Sequence, residues 1–176
     1  MPGGCHETRL KPWRCLLTHS PRCVRAARGT GRTPLSAFDD ALHRAGVSNL
    51  NLVVLSSVVP PGVVVEVDED PLPLEAGHGD RLYCVLSAGH AELRGQTAWA
   101  GLGWVNDPDR GGLFVEHHSG AEESVRELID LTLADMAERR GTSYPTHEAC
   151  VIDAHCDDLP VCALVVATYD VAPWAV

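Results

Sequence analysis

Residues 33–62 read TPLSAFDDALHRAGVSNLNLVVLSSVVPPG, and the order of signals inside this stretch decides the class of fold. Thr33 before Pro34 is the pattern of a helix N-cap followed by its first residue, because both suit amides that have no partner at a helix start. Leu35, Phe38, Leu42 and Ala45 then recur at helical spacing, and Gly46 supplies the stop. From Leu50 to Val59 the pattern becomes a nearly continuous apolar run rich in valine, which reads as a strand, and Pro60-Pro61-Gly62 ends it.

Working outward, Val63–Val67 reads as a short strand before an acidic, Pro-containing loop from Asp68 to Gly79. Residues 81–87 and 93–105 read as strands, with Gly101 and Gly103 marking a bulge or a close approach, and Leu113–His117 as another. Ser119 with Glu122 has the spacing of a capping box for the most regular helix of the chain. Its apolar face is Val125, Leu128, Ile129, Leu133 and Met136; Arg139 and Arg140 suit its C-terminal dipole, and Gly141 ends it. Residues 149–154 and 161–169 read as closing strands. A helix, several strands, a second helix and two more strands predict an α+β layered domain, not repeated βαβ units.

The 176 residues suffice for one domain, and the mix of 45% hydrophobic and 22% charged residues is that of a globular chain. No run of eighteen apolar residues occurs, so no membrane span is expected. The net charge of −10 argues against a general nucleic-acid binder, which needs clustered cations for the phosphates. The charge is split: residues 1–32 hold seven basic groups and one acid, Glu7, whereas residues 33–176 hold seven arginines and twenty-three acids. Residues 1–32 show no apolar periodicity and no run long enough for a secretory signal. They read as a disordered basic extension or an upstream misassigned start, with the domain occupying 33–176. Seven cysteines, none in a Cys-x-x-Cys pair, fit a reduced cytoplasmic chain better than a disulfide framework. Cys84, Cys150 and Cys162 lie in apolar runs and read as core residues. His147, Cys150, His155, Cys156 and Cys162 match no zinc spacing, and strand alternation scatters their directions, so no metal site is expected.

Ser56-Ser57 is the locally odd feature, a hydroxyl pair in an otherwise apolar run. Taken alone it reads as the polar end of a strand before a turn; Glu116 alone reads as a solvated strand-end carboxylate, and Asn51 equally as a substrate-orienting amide or one bonded to nearby backbone. Context changes the weighing. Residues 33–42, 45–52 and 56–61, then Gly111-Gly-Leu-Phe-Val-Glu116, and more loosely the helix ending Arg139-Arg-Gly141, resemble the pyruvoyl-dependent arginine decarboxylases in order and spacing. The likeness covers about 33–170. The acidic stretch 68–80, the basic N-terminal segment and the Trp174-Ala-Val ending depart from it.

The resemblance implies an αββα sandwich with mainly antiparallel sheets, assembled as a homotrimer with active sites between neighbours. It implies a proenzyme that cuts itself between Ser56 and Ser57, giving chains 1–56 and 57–176. The Ser57 hydroxyl attacks the Ser56 carbonyl, the ester eliminates to dehydroalanine, and hydrolysis releases ammonia and leaves a pyruvoyl group derived from Ser57. That group takes up the substrate's amine and the electrons left by departing carbon dioxide, which explains how a chain whose only lysine is Lys11 manages without one. Glu116 matches the family's proton donor, a role that calls for burial to raise its pKa. Asn51 matches an active-site asparagine, and Ser56 and Asp39 match substrate-binding positions, Asp39 by pairing with guanidinium. Asp40 beside it is expected to face water. The implied reaction is conversion of L-arginine to agmatine; decarboxylation of another amino acid, or an uncleaved non-catalytic subunit, are the rival readings.

Overall fold

The computed structural model describes residues 22–174, and what the sequence suggests for residues 1–21 lies outside the described residues. The elements are β1 (Arg22–Thr30), α1 (Pro34–Arg44), β2 (Asn51–Val54), β3 (Val58–Val59), β4 (Val65–Asp68), β5 (Arg81–Ala91), β6 (Thr97–Asp107), β7 (Gly111–Ser119), α2 (Glu122–Arg139), β8 (Thr146–His155) and β9 (Val161–Ala172). They form a five-stranded sheet in the order β2-β5-β9-β1-β4 and a four-stranded sheet in the order β3-β7-β6-β8. All pairs are antiparallel except β1–β4 and β2–β5.

Three cores give the layering. Val85, Leu102, Trp104, Phe114 and Val165 pack between the sheets. Ala37, Ala41 and Ala45 of the first helical segment meet Leu82, Leu164 and Val166 on the outer face of the five-stranded sheet. Val125, Ile129 and Leu133 of α2 meet Val105, Leu113 and Val115 on the outer face of the other. The architecture is therefore the expected αββα sandwich. No helix among the described residues is long and apolar enough to cross a membrane.

β1 begins at Arg22, eleven residues before the expected start of the domain, and is an interior strand between β9 and β4. Its periodicity is hidden because both faces are buried. Val24 and Ala26 face the other sheet, while Ala27 and Gly29 face α1. A side chain at Gly29 would come within 2.1 Å of the Ala37 carbonyl oxygen, so only glycine allows this approach. Arg25 is itself buried, donating to the carbonyls of Ala45 (3.1 Å) and Leu72 (3.0 Å) and pairing with Asp68 at 3.4 Å. These partners offset the cost of burying a cation. Arg28 pairs with Asp153 of β8.

Other boundaries moved for local reasons. Thr33 caps α1 as expected, with Ser36 completing a capping box. The α2 N-cap is Ala121 and not Ser119, which remains in β7 opposite Trp99. Leu128, expected in the core, is exposed on α2. Gly101 and Gly103 mark a close approach: a Cβ on Gly103 would lie 2.1 Å from Ile129 Cγ2.

Candidate active site

The apolar run 50–59, which reads as one strand, serves two sheets. β2 ends at Val54 in the five-stranded sheet, and β3 begins at Val58 in the four-stranded sheet. Leu55, Ser56 and Ser57 carry the chain across. The Leu55 amide still donates to the Cys84 carbonyl at 2.9 Å, while the Ser57 carbonyl already accepts from the Phe114 amide at 2.8 Å. Between these anchors Ser57 adopts a left-handed conformation with φ +68°; among the described residues Asn49, at φ +65°, is the other non-glycine with positive φ. For a residue with a Cβ this conformation costs roughly 1–2 kcal/mol.

Ser57 is buried and Ser56 is exposed, so the peptide bond joining them runs from solvent into the protein. The Ser57 hydroxyl donates to the Glu116 carboxylate, at 3.1 Å from Oε2 and 3.3 Å from Oε1. Glu116 comes from β7, on the inward face it shares with Phe114. It is exposed in the single chain, against the burial its expected role calls for. β3 pairs only with Gly112 and Leu113, and beyond the Phe114 amide, held by Ser57, it does not run along β7 as far as Glu116. His117 turns the other way and meets Thr132 of α2 through Nε2 at 2.9 Å. Partial burial lowers its pKa; Glu116 opposes this and His118 reinforces it.

The remaining expected residues do not converge on Ser57 within one chain. Asn51 opens β2, with about 13 Å of extended chain between it and Leu55. Its side-chain amide donates to the Gly79 carbonyl at 2.6 Å, the backbone pairing left open by the sequence. Trp174 Nε1 donates to the same oxygen at 2.6 Å, and Arg81 stacks over the Trp174 ring at 4.7 Å. Asp39 is exposed on α1. Asp40, expected to face water, is instead half-buried, accepting from the Thr30 amide at 2.9 Å and from Arg44 Nε at 3.0 Å. Partial burial pushes its pKa up, but those two partners outweigh it and hold the carboxyl below its ordinary value. Asp40 turns inward because α1 docks through Ala37 and Ala41 as well as through Phe38, Leu42 and Ala45, which leaves Leu35 exposed.

Cys84 and Cys162 are core residues whose thiols burial pushes up to about 11 and about 12. His147 pairs with Asp130, His155 with Thr97, and the Cys156 thiol with the Leu159 carbonyl. No group of three or more metal-ligating side chains gathers among the described residues. Two contributors to the serine crossover had no sequence signal: the Phe114 backbone amide, and Tyr169 of β9, whose hydroxyl donates to the Val58 carbonyl at 3.0 Å.

The family model described as pyruvoyl-dependent arginine decarboxylase matches residues 22–169, which takes in β1 as well as the serine crossover. The chain belongs to this family. A pyruvoyl-dependent arginine decarboxylase of Thermococcus sibiricus is 33% identical over 142 residues, covering 79% of this chain and 87% of the relative. Pyruvoyl-dependent arginine decarboxylase 2 of Archaeoglobus fulgidus is 32% identical over 132 residues, covering 70% and 83%. The pyruvoyl-dependent arginine decarboxylase of Pyrococcus abyssi is 36% identical over 111 residues, covering 60% and 68%. Pyruvoyl-dependent arginine decarboxylases carry a covalently bound pyruvoyl cofactor, and Ser57 fits its formation: a left-handed, buried serine with its hydroxyl on a carboxylate and an exposed serine before it.

Proposed function

We propose that the protein is a self-processing carboxy-lyase that converts L-arginine to agmatine and carbon dioxide, with Ser57 as the precursor of its pyruvoyl group. The observation that carries this reading is the Ser57 hydroxyl held on Glu116 in a left-handed crossover. Glu116 is placed to receive the hydroxyl proton as the Ser57 oxygen bonds to the Ser56 carbonyl carbon. The Ser56–Ser57 C–N bond breaks and the new amine takes a proton, so the peptide becomes an ester with nothing lost. Removal of the Ser57 α-proton then expels the Ser56 carboxylate from Cβ. Water replaces nitrogen at Cα, ammonia leaves, and chains 1–56 and 57–176 result.

Once formed, the group supplies a carbonyl that binds the substrate's amine and accepts the electrons released with carbon dioxide. The protein's own residues do the rest. The Phe114 amide holds the Ser57 carbonyl oxygen in place. Glu116, released from the Ser57 hydroxyl by the cut, is the proton donor, and Ser56 is left as a chain end beside it. Asp39 offers the substrate guanidinium a bidentate partner, and Asn51 retains an amide oxygen with which to orient the substrate.

We propose a homotrimer in which a neighbour completes this site. Two observations support it: Glu116, Ser56, Asp39 and Asn51 are all exposed in one chain, and Asp39 sits on α1, which packs on the outer face of the five-stranded sheet, while Asn51 opens β2. Covering by a neighbour would also supply the burial that a carboxyl acid needs. Cys84 and Cys162, buried as core thiols, suit the cytoplasmic location we propose. The decisive experiment is intact mass of the purified protein followed by turnover of arginine. Two fragments are expected, the larger lacking a free N-terminal amine, with agmatine as product. A chain that stays whole under prolonged incubation, or a cut chain inert towards arginine, refutes the reading.

A further inference from the structure

β3 is the edge strand of its sheet and only two residues long, so its own ladder is too short to hold the strained residue before it. The support comes from the opposite sheet. In the pairing of β5 with β9, Thr168 faces Cys84 and Asp170 faces Tyr83, so the register steps at Tyr169, which is the bulge residue. Bulges re-aim side chains. Tyr169 stays on the inward face with Ala167, whereas Val171 beyond the bulge turns back to the α1 face. From there the Tyr169 hydroxyl reaches across to the Val58 carbonyl at 3.0 Å. Its ring meets Phe114 edge-on, with centroids 6.2 Å apart and planes at 64°. Phe114 is the residue whose amide holds the Ser57 carbonyl at 2.8 Å.

We propose that Tyr169 is a positioning residue for Ser57: it clamps Val58 from one side and Phe114 from the other, and so keeps the Ser57 carbonyl on the Phe114 amide. The inference rests on the proposed self-processing for its consequence but not for its geometry. The Ser57 carbonyl is the one that survives the cut and ends beside the new keto carbon. An amide fixed on it therefore serves twice, first by holding the hydroxyl on Glu116 during cleavage and then by holding the acceptor end of the finished group.

The test is Tyr169→Phe, which keeps the ring and removes the hydroxyl, with two measurements. The first is the rate at which the 57–176 fragment appears after a pulse of cell-free synthesis, which should fall about three- to tenfold, the effect of one net hydrogen bond. The second is hydrogen exchange of the Phe114 amide in an uncut Ser57→Ala chain with and without Tyr169→Phe, which should quicken by a similar factor. A merely structural tyrosine would lower the melting temperature and move neither. Thr146→Val, which removes the hydroxyl that donates to the Asn106 carbonyl and accepts from the Asn106 amide on the same sheet as β3, serves as the control and should leave both unchanged. Cleavage within twofold of wild type, or unchanged Phe114 exchange, overturns the proposal. A wild-type chain that never cuts removes the proposed function, and the exchange at Phe114 then decides the placement of Tyr169 alone.

Discussion

Replacing Ser57 by alanine and by glycine tests the strained crossover without relying on turnover. Both variants lack the hydroxyl, so both should remain a single chain, and both lose the bond to Glu116 equally. They differ in what φ +68° costs them. Alanine bears the left-handed penalty of roughly 1–2 kcal/mol, which glycine escapes. Against that, glycine loses about 0.5–1 kcal/mol more than alanine on ordering the chain. The net is about 0–1.5 kcal/mol in favour of glycine, or up to about 6 °C in melting temperature for a chain of this size. At an unstrained position the order is reversed, because alanine is then the more stabilising residue. The sign alone therefore decides. The assay is thermal unfolding of the two uncut variants at equal protein concentration, since assembly would otherwise shift the midpoints. Ser57→Ala more stable than Ser57→Gly would mean that Ser57 is not held left-handed.

Further outcomes follow from the same geometry. Glu116→Gln, once cut, should lose about 10²–10⁴-fold in carbon dioxide release while still binding arginine; near-normal release removes Glu116 as the proton donor. Asp39→Asn should lower kcat/KM on arginine by about 30-fold or more and spare an uncharged amino acid of similar length; an equal loss on both would point to processing instead. Asp40→Asn should destabilise without changing substrate preference. Because the Asp40 pKa is held below its ordinary value, its contribution is present above that value and lost as pH falls through the lower folded one. The stability gap between wild type and Asp40→Asn should therefore close in acid, and a gap constant with pH would refute the ion-paired assignment. Gly103→Ala would drive a methyl to 2.1 Å from buried Ile129 and should cost about 1–3 kcal/mol, read as a lowered urea midpoint.

The sequence carried the layered class and the chemistry of the serine pair further than it carried the faces. Thr33-Pro34 marks a helix start locally, so α1 was legible to the residue. Phe38, Leu42 and Ala45 dock as their spacing predicts, but the parts of Ala37 and Ala41 were not legible, because they depend on the close approach of Gly29 in β1, which leaves no trace in the helix's own pattern. That approach turns Asp40 inward and leaves Asp39 outward. β1 was hidden because a strand buried on both faces alternates nothing, and because the charge of Arg25 is met by carbonyls and by Asp68 far along the chain. Residues 50–59 read as one strand since the alphabet of β2 and β3 is the same; the break at 55–57 is set by different partners, Cys84 on one side and Phe114 on the other. Ser56, Ser57 and Glu116 could be named from their motifs, but the contact of Tyr169 with Val58 joins positions 111 residues apart and leaves no local trace.

The order of the larger sheet sets what a cut between 56 and 57 can do. Such a cut would divide its strands: β2 and β1 would belong to the smaller piece and β5, β9 and β4 to the larger, with β1 locked between two strands of the other chain. The two pieces would be interlaced like fingers, so severing the bond would free neither. The smaller one would leave only when the sheet itself comes apart, and its escape rate would be the unfolding rate of the whole. Renaturation would then be a meeting of two molecules, dependent on dilution, and the seam could not be rejoined because ammonia would have left. Such a protein would be durable while folded and unrepairable once opened, a one-way object whose lifetime is measured by kinetics and not by a folding equilibrium.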